Sequence, residues 1–315
     1  MPEFRIERQT FRSPPNRPQL LPLKHLRYAR RTEKRRMTLI VGSVNDGGVL
    51  LCGDTLVSSE VSVSYESKIL PVVFSDGRAL IGYSGNAVFG KGAVEQIRLS
   101  LSRYNGGPRS LEYISDHIRK VWYDCFRKSH SGNALSYEQI LVALWSKRDQ
   151  DAKLYCSSNE VFAQSASGEE CIGCGDLLGR FLIGSSGGTP AVAERRAFER
   201  AVIAVGLTKQ SMPTSVGGNL VAVNLSKDGT ARVYSFLDLY RVENYALDID
   251  RSVRELAERV FSTIGDDTRF SEAVAAFTEG LMSLSKCWKS DLTWKMIDYL
   301  PPEAAQIQET FSKPV

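Results

Sequence analysis

The chain is predicted to be an α+β protein: two antiparallel sheets stacked face to face with a helical layer outside each, a four-layer αββα sandwich. Three observations lead there. The stretch Met37-Thr38-Leu39-Ile40-Val41-Gly42, running on through Asp46 to Asp54, reads as two apolar, β-branched-rich strands joined by the turn Asn45-Asp46-Gly47-Gly48, a hairpin. Strand pairs then alternate with segments of helical periodicity, in the order strands, two helices, strands, helix, strands. At 315 residues, with 43% hydrophobic and 24% charged side chains, the chain has the makeup of a globular protein able to bury a sizeable core.

The elements follow in order. Residues 68–73 and 78–83 form a second strand pair around the turn triplet Ser75-Asp76-Gly77. Residues 87–104 carry Val88, Ala93, Val94, Ile97 and Leu101 at helical spacing and stop at Asn105-Gly106-Gly107-Pro108. A second helix over 110–128 presents Leu111, Ile114, Ile118, Val121 and Trp122 on one face, and the short connection packs the two side by side. Strands resume at 138–145 and 152–156, with a short piece at 161–163, and Gly173 and Gly175 mark a loop. Residues 181–188 are predicted to turn from strand into helix. A helix over 191–209 leads to strands at 219–223 and 231–236, joined by an Asp228-Gly229 turn. Two amphipathic helices, 251–261 and 269–284, and a Trp-containing tail complete the chain. The domains are a leader, 1–37, a body, 38–240, and a helical extension, 241–315, packed on that body.

The leader holds eleven Lys or Arg against three acidic residues, and the rest of the chain 29 basic against 33 acidic. The formal charge of +4 therefore belongs to the leader, and the body is mildly acidic. Basic clusters attract phosphate, and Arg-rich, acid-poor segments also serve as targeting peptides. Against both, Pro14, Pro15, Pro18 and Pro22 break any helix that could present the charges on a folded scaffold. The leader is taken as a disordered extension, or as sequence upstream of a start at Met37, and no nucleic-acid partner is assigned. No apolar run approaches the roughly eighteen residues that would span a bilayer, so no membrane partner is assigned either. Six scattered cysteines fit the reduced thiols of a cytoplasmic protein. Cys171-Ile172-Gly173-Cys174 has the spacing of a zinc or redox motif but lacks a second half, and is taken as loop; no metal or cofactor is expected.

Chemistry attaches to the ends of the first hairpin. A threonine hydroxyl is a poor nucleophile without a base, and the nearest base to a first-residue threonine is its own α-amine. That amine titrates near about 8, so a neighbouring cation leaves it largely neutral. Met37 precedes a small side chain, the context in which an initiator methionine is trimmed, and trimming would expose Thr38. The plainer alternative makes Thr38 only the first residue of an edge strand.

The pattern from Thr38 to Gly42, continued in Gly48-Val49-Leu50-Leu51-Cys52-Gly53-Asp54, resembles the start of proteasome β-subunits and HslV-type peptidases, N-terminal-nucleophile hydrolases. Asp54 lies sixteen residues beyond Thr38, the spacing of that family. Lys68, just before a strand, and Ala79-Leu80-Ile81-Gly82-Tyr83-Ser84-Gly85-Asn86-Ala87 match two further landmarks once a loop is two residues shorter. The family's Ala-Ile-Gly-Ser-Gly turn places Ser185 as the serine that supports the nucleophile's amine. Pro213 and Val216 stand where the family has aspartate and serine, with Ser215 one position away. The likeness covers 38–240.

The resemblance implies a threonine-type peptidase with Thr38 as nucleophile, Lys68 as the positive field, Asp54 holding Lys68, and the Gly85 N–H as oxyanion donor. It also implies pocket walls from Val57, Ser58, Tyr83 and Ala87, with Tyr83 at the base. Partners would be a peptide or unfolded polypeptide substrate, further copies of the chain in a homo-oligomeric ring, and room for a regulatory ATPase. Two rivals stay open: an amidohydrolase of the same fold acting on a small amide, and a non-catalytic ring-forming scaffold, favoured by Pro213 and Val216.

Overall fold

The computed structural model describes residues 38–58, 63–129, 138–158, 161–184, 192–263, 267–291 and 302–312. The basic leader lies outside them. The chain order is β1 (Leu39–Val44), β2 (Gly48–Asp54), β3 (Leu56–Ser58), β4 (Val63–Tyr65), β5 (Ile69–Phe74), β6 (Gly77–Ser84), α1 (Ala87–Ser102) and α2 (Leu111–Ser129). There follow β7 (Gln139–Ser146), β8 (Asp151–Ser158), β9 (Val161–Gln164), β10 (Glu169–Gly173), α3 (Asp176–Gly184), α4 (Glu194–Ser211), β11 (Leu220–Ser226), β12 (Ala231–Val233), α5 (Phe236–Ser262), α6 (Asp267–Asp291) and α7 (Pro302–Ser312).

Two antiparallel sheets organise the molecule, in strand order β10-β1-β2-β11-β12 and β5-β6-β7-β8-β9, and β3 with β4 makes a separate hairpin. The α+β class expected from the sequence is what the structure has. The first hairpin closes in the register Ile40↔Gly53 to Val44↔Val49. Its strands are continuous apolar runs rather than alternating ones because both faces are buried. Leu39 and Val41 enter a core with Phe198, Ala201, Val202 and Val205 of α4, whereas Ile40 and Leu51 enter a core with Leu80, Leu141, Ala143 and Leu154 of the other sheet. A third core joins Ala79, Ile81 and Val142 to Ile97 of α1 and Ile114, Ile118 and Trp122 of α2. Helix α1 starts where Asn86 accepts hydrogen bonds from Val88 N (3.0 Å) and Phe89 N (3.3 Å), an N-cap that replaces missing intrahelical acceptors.

The structure departs from the sequence-based expectations in four places. Residues 169–173 are strand β10, paired antiparallel with β1, rather than loop. Residues 181–184 belong to helix α3, not to a strand; Asp-Leu-Leu-Gly-Arg-Phe-Leu-Ile is an apolar run that periodicity alone cannot assign, and Asp176 in its first turn favours helix. The last strand ends at Val233, and α5 starts at Phe236, capped by Ser235 accepting from Asp238 N (3.2 Å), so the expected boundary at 240 falls inside a helix. Helix α7 was not anticipated, yet its Ala304, Ile307 and Phe311 are buried in the core between the sheets, beside the edge strands β5 and β12. Among the described residues no helix is long and apolar enough to cross a membrane.

Candidate active site

One end of the two sheets gathers Thr38, Asp54 and Lys68. Asp54 is the last residue of β2, which runs between β1 and β11, and its carboxylate faces the start of β1 and the entry to β11. Oδ1 accepts from Leu39 N (3.0 Å) and Oδ2 from Gly217 N (3.1 Å). Lys68 arrives from the other sheet, immediately before β5, and donates from Nζ to Oδ1 at 2.9 Å and Oδ2 at 3.0 Å. Both residues are buried, Lys68 at 3% and Asp54 at 1% exposure, so the ion pair bridges the sheets out of water. Burial is the largest influence on each: it raises the Asp54 pKa and lowers that of Lys68, against their mutual attraction and the two backbone donors, which favour the charged forms.

Thr38 joins this pair through its neighbours. Leu39, the next residue, is the one Asp54 holds. The Thr38 N–H donates to Cys174 Sγ (3.4 Å), and the Thr38 carbonyl accepts from the Cys174 thiol (3.6 Å) and from Gly175 N (3.5 Å). The Cys174 thiol also lies 3.8 Å from the Ser215 carbonyl and within the field of Lys68. Burial raises the Cys174 pKa, opposed by the Thr38 hydrogen bond and by Lys68. The fit is close: Gly173 sits at φ +107, and a Cβ there would come within 2.1 Å of the Thr38 carbonyl oxygen.

A turn from strand into helix that contacts Thr38 is Cys171-Ile172-Gly173-Cys174-Gly175, between β10 and α3. Ser185 lies outside the described residues. Sequence reasoning took Cys171-x-x-Cys174 as a bare loop, whereas the structure sets Cys174 against Thr38. The two cysteines do different things. Cys171 packs in the core beneath α3 and α4, and Cys174 contacts Thr38.

Gly85, at φ +97, follows the end of β6. Tyr83 N donates to Lys68 O (3.1 Å), so Gly85 N, two residues on, points from the same edge of β6, beyond the start of β5. Among the described residues the pairing of β6 with β5 begins at Ile69↔Gly82 and does not reach Gly85. Ser84, between them, turns the other way along the pleat, and its buried hydroxyl has no partner among the described residues.

Two expected pocket residues are placed otherwise. Tyr83 is 2% exposed and lies against Gly90 of α1 in the core between sheet and helices, so it does not form the base of a pocket beside Thr38. Strand alternation is the reason: Ile81 and Tyr83 share the helix-side face, Leu80 and Gly82 the face toward the other sheet. Ala87 packs half-buried against the same helix-side core. Val57 and Ser58 belong to β3, which pairs with β4 on one edge and donates from Leu56 N to Gly217 O (3.0 Å) on the other. In the 213–216 turn, Val216 is fully buried and offers no hydroxyl, while Gly217 N supplies a hydrogen bond to Asp54 that the sequence did not disclose.

No protein-family model and no curated protein matches the chain. Solved structures do share its fold. An Anbu chain from Hyphomicrobium sp. strain MC1 aligns over 69% of this chain and 97% of its own length, with 13% identity and a TM-score of 0.56. The chain titled as a helical assembly of the Anbu complex from Pseudomonas aeruginosa aligns over 70% and 96%, with 13% identity and a TM-score of 0.58. Anbu from Yersinia bercovieri, described as an ancestral β-subunit, aligns over 69% and 97%, with 13% identity and a TM-score of 0.58. These neighbours correct the resemblance drawn from the sequence: they are Anbu chains, proteasome-like but distinct from proteasome β-subunits and HslV, and the likeness is one of fold.

Proposed function

We propose that this chain, with Thr38 as its first residue, is an N-terminal threonine hydrolase that cleaves amide bonds in peptides, on a four-layer αββα frame. The observation that carries the reading is the buried Lys68–Asp54 pair, whose carboxylate also fixes Leu39, the residue after Thr38. A buried cation beside a threonine supplies the field in which an alkoxide can form, and a purely structural site has little use for that expense of desolvation.

The freed Thr38 α-amine takes the proton of the hydroxyl, directly or through one water, and the oxygen attacks the peptide carbonyl carbon. The negative charge that develops on the carbonyl oxygen meets the Gly85 N–H, and Lys68 lowers the energy of the charged states. Collapse of the tetrahedral intermediate expels the amine of the leaving peptide, which receives the proton from the Thr38 α-amine. An ester on Thr38 Oγ remains, and water then hydrolyses it. Cys174 Sγ accepts from Thr38 N and keeps the base oriented toward the hydroxyl. Ser58 has its backbone groups on the same edge of β3 as Leu56, beyond the contact with Gly217, where an extended peptide can add as a strand. Self-association is part of the proposal, in keeping with a fold neighbour titled as a helical assembly.

The test is to produce the protein beginning at Thr38 and measure hydrolysis of a panel of fluorogenic peptides, alongside the Thr38→Ala variant. Turnover by the first and none by the second is expected. A second reading, a non-catalytic assembly subunit, is favoured by one feature: Pro213 and the buried Val216 stand where the resemblance wants an aspartate and a serine. Folded, assembled protein that shows no turnover on any peptide would select it.

A further inference from the structure

Gly173 belongs to β10, the edge strand beside β1, and is paired with Leu39. Its N–H points away from any strand of its own sheet. The acceptor is Gln139 Oε1, 3.2 Å away, on the first residue of β7 in the opposite sheet. Gln139 can reach across because it lies on the same face of β7 as Leu141 and Ala143, which pack between the sheets. The residue thus holds the turn whose next two groups, Cys174 Sγ and Gly175 N, contact Thr38. The hydrogen bond ties that turn to the second sheet, from which Gly85 and Lys68 both come.

We propose that Gln139 is a positioning residue for Thr38: by pinning Gly173 it fixes the threonine relative to the Lys68 and Gly85 groups carried by the other sheet. The inference rests on Thr38 being the nucleophile. Gln139 does not touch the reacting atoms, so its loss acts on the rate of chemistry rather than on substrate binding. A misplacement on the order of 1 Å at a reacting centre can lower a rate about 100-fold, and a single lost hydrogen bond to a turn is expected to cost about 10- to 100-fold.

The experiment compares protein beginning at Thr38 with its Gln139→Ala and Gln139→Glu variants. Two readouts are taken: the rate at which a β-lactone acylates Thr38, followed by mass spectrometry, and hydrogen exchange at the Gly173 amide. Gln139→Ala should acylate about 10- to 100-fold more slowly at saturating lactone, with the half-saturating concentration within about twofold, and should expose the Gly173 amide to faster exchange. Gln139→Glu keeps the acceptor oxygen and should restore both. An unchanged acylation rate in Gln139→Ala, or a Gln139→Glu protein as slow as Gln139→Ala, overturns the proposal. If the parent protein takes no acyl group on Thr38, the nucleophile reading fails instead. The Gly173 exchange rates then decide on their own whether Gln139 holds the turn.

Discussion

Replacing Asp54 with asparagine should damage stability and chemistry together. The carboxylate accepts four hydrogen bonds, two from Lys68 Nζ and one each from Leu39 N and Gly217 N. An amide keeps one acceptor oxygen and turns an NH2 group toward donors that need an acceptor. It also takes the hydrogen-bonded counter-charge from the Lys68 ammonium, which is 3% exposed. Removing one member of a buried pair typically costs about 3–5 kcal/mol, out of a total stability of roughly 5–15 kcal/mol for a folded domain. At about 2–4 °C per kcal/mol for a chain of this size, Asp54→Asn should melt about 6–20 °C below the parent. Thermal melts by circular dichroism, repeated as urea titrations, measure it. The double variant Asp54→Asn/Lys68→Met removes that ammonium as well and should recover much of the loss without recovering activity. An Asp54→Asn protein that melts within about 2 °C of the parent, or a double variant no more stable than the single one, would refute the reasoning.

Three other expectations follow from the same geometry. Activity should fall on the acid side at a pH above the usual aspartate range, because burial raises Asp54 and protonation discharges it. It should fall on the alkaline side below the usual lysine range, because burial lowers Lys68; a rate profile with both limbs at ordinary values contradicts the buried pair. Gly173→Ala should abolish activity and lower the melting point, since the residue sits at φ +107 and a Cβ would meet the Thr38 carbonyl oxygen at 2.1 Å; an active, stable variant would show the turn to be elsewhere. Alkylation of Cys174 by iodoacetamide should block Thr38 acylation, and its rate should keep climbing above pH ~9 because burial raises the thiol pKa; Cys174→Ser should remain active and resist the reagent.

The legible parts of the site were those encoded locally. Asp54 and Lys68 could be placed because each ends or precedes a strand whose apolar run and turn are written in adjacent residues. Cys174 escaped because the strand before it, Glu169-Glu170-Cys171-Ile172-Gly173, carries two carboxylates and a glycine that mask a buried edge. The apolar run of α3 satisfied both strand and helix patterns, which is why a strand was expected there. Tyr83 was misplaced for a different reason. Its strand was recognised, but the face each residue takes depends on which side Leu80 and Ile81 choose, and that is settled by packing against α1. The contacts of Gln139 with Gly173 and of Gly217 with Asp54 join residues 34 and 163 positions apart. Neither leaves a local trace in the sequence. The helical C-terminus was harder still: α7 is short, and only the core between the sheets shows why Ala304, Ile307 and Phe311 are apolar.

The most direct measurement is an intact-mass and peptide-mapping experiment on protein generated to begin at Thr38 and treated with a peptide β-lactone or epoxyketone. One equivalent of adduct on Thr38, lost in Lys68→Met, is the predicted result. An unmodified Thr38, or an adduct carried only by Cys174 or Lys68, would contradict the account.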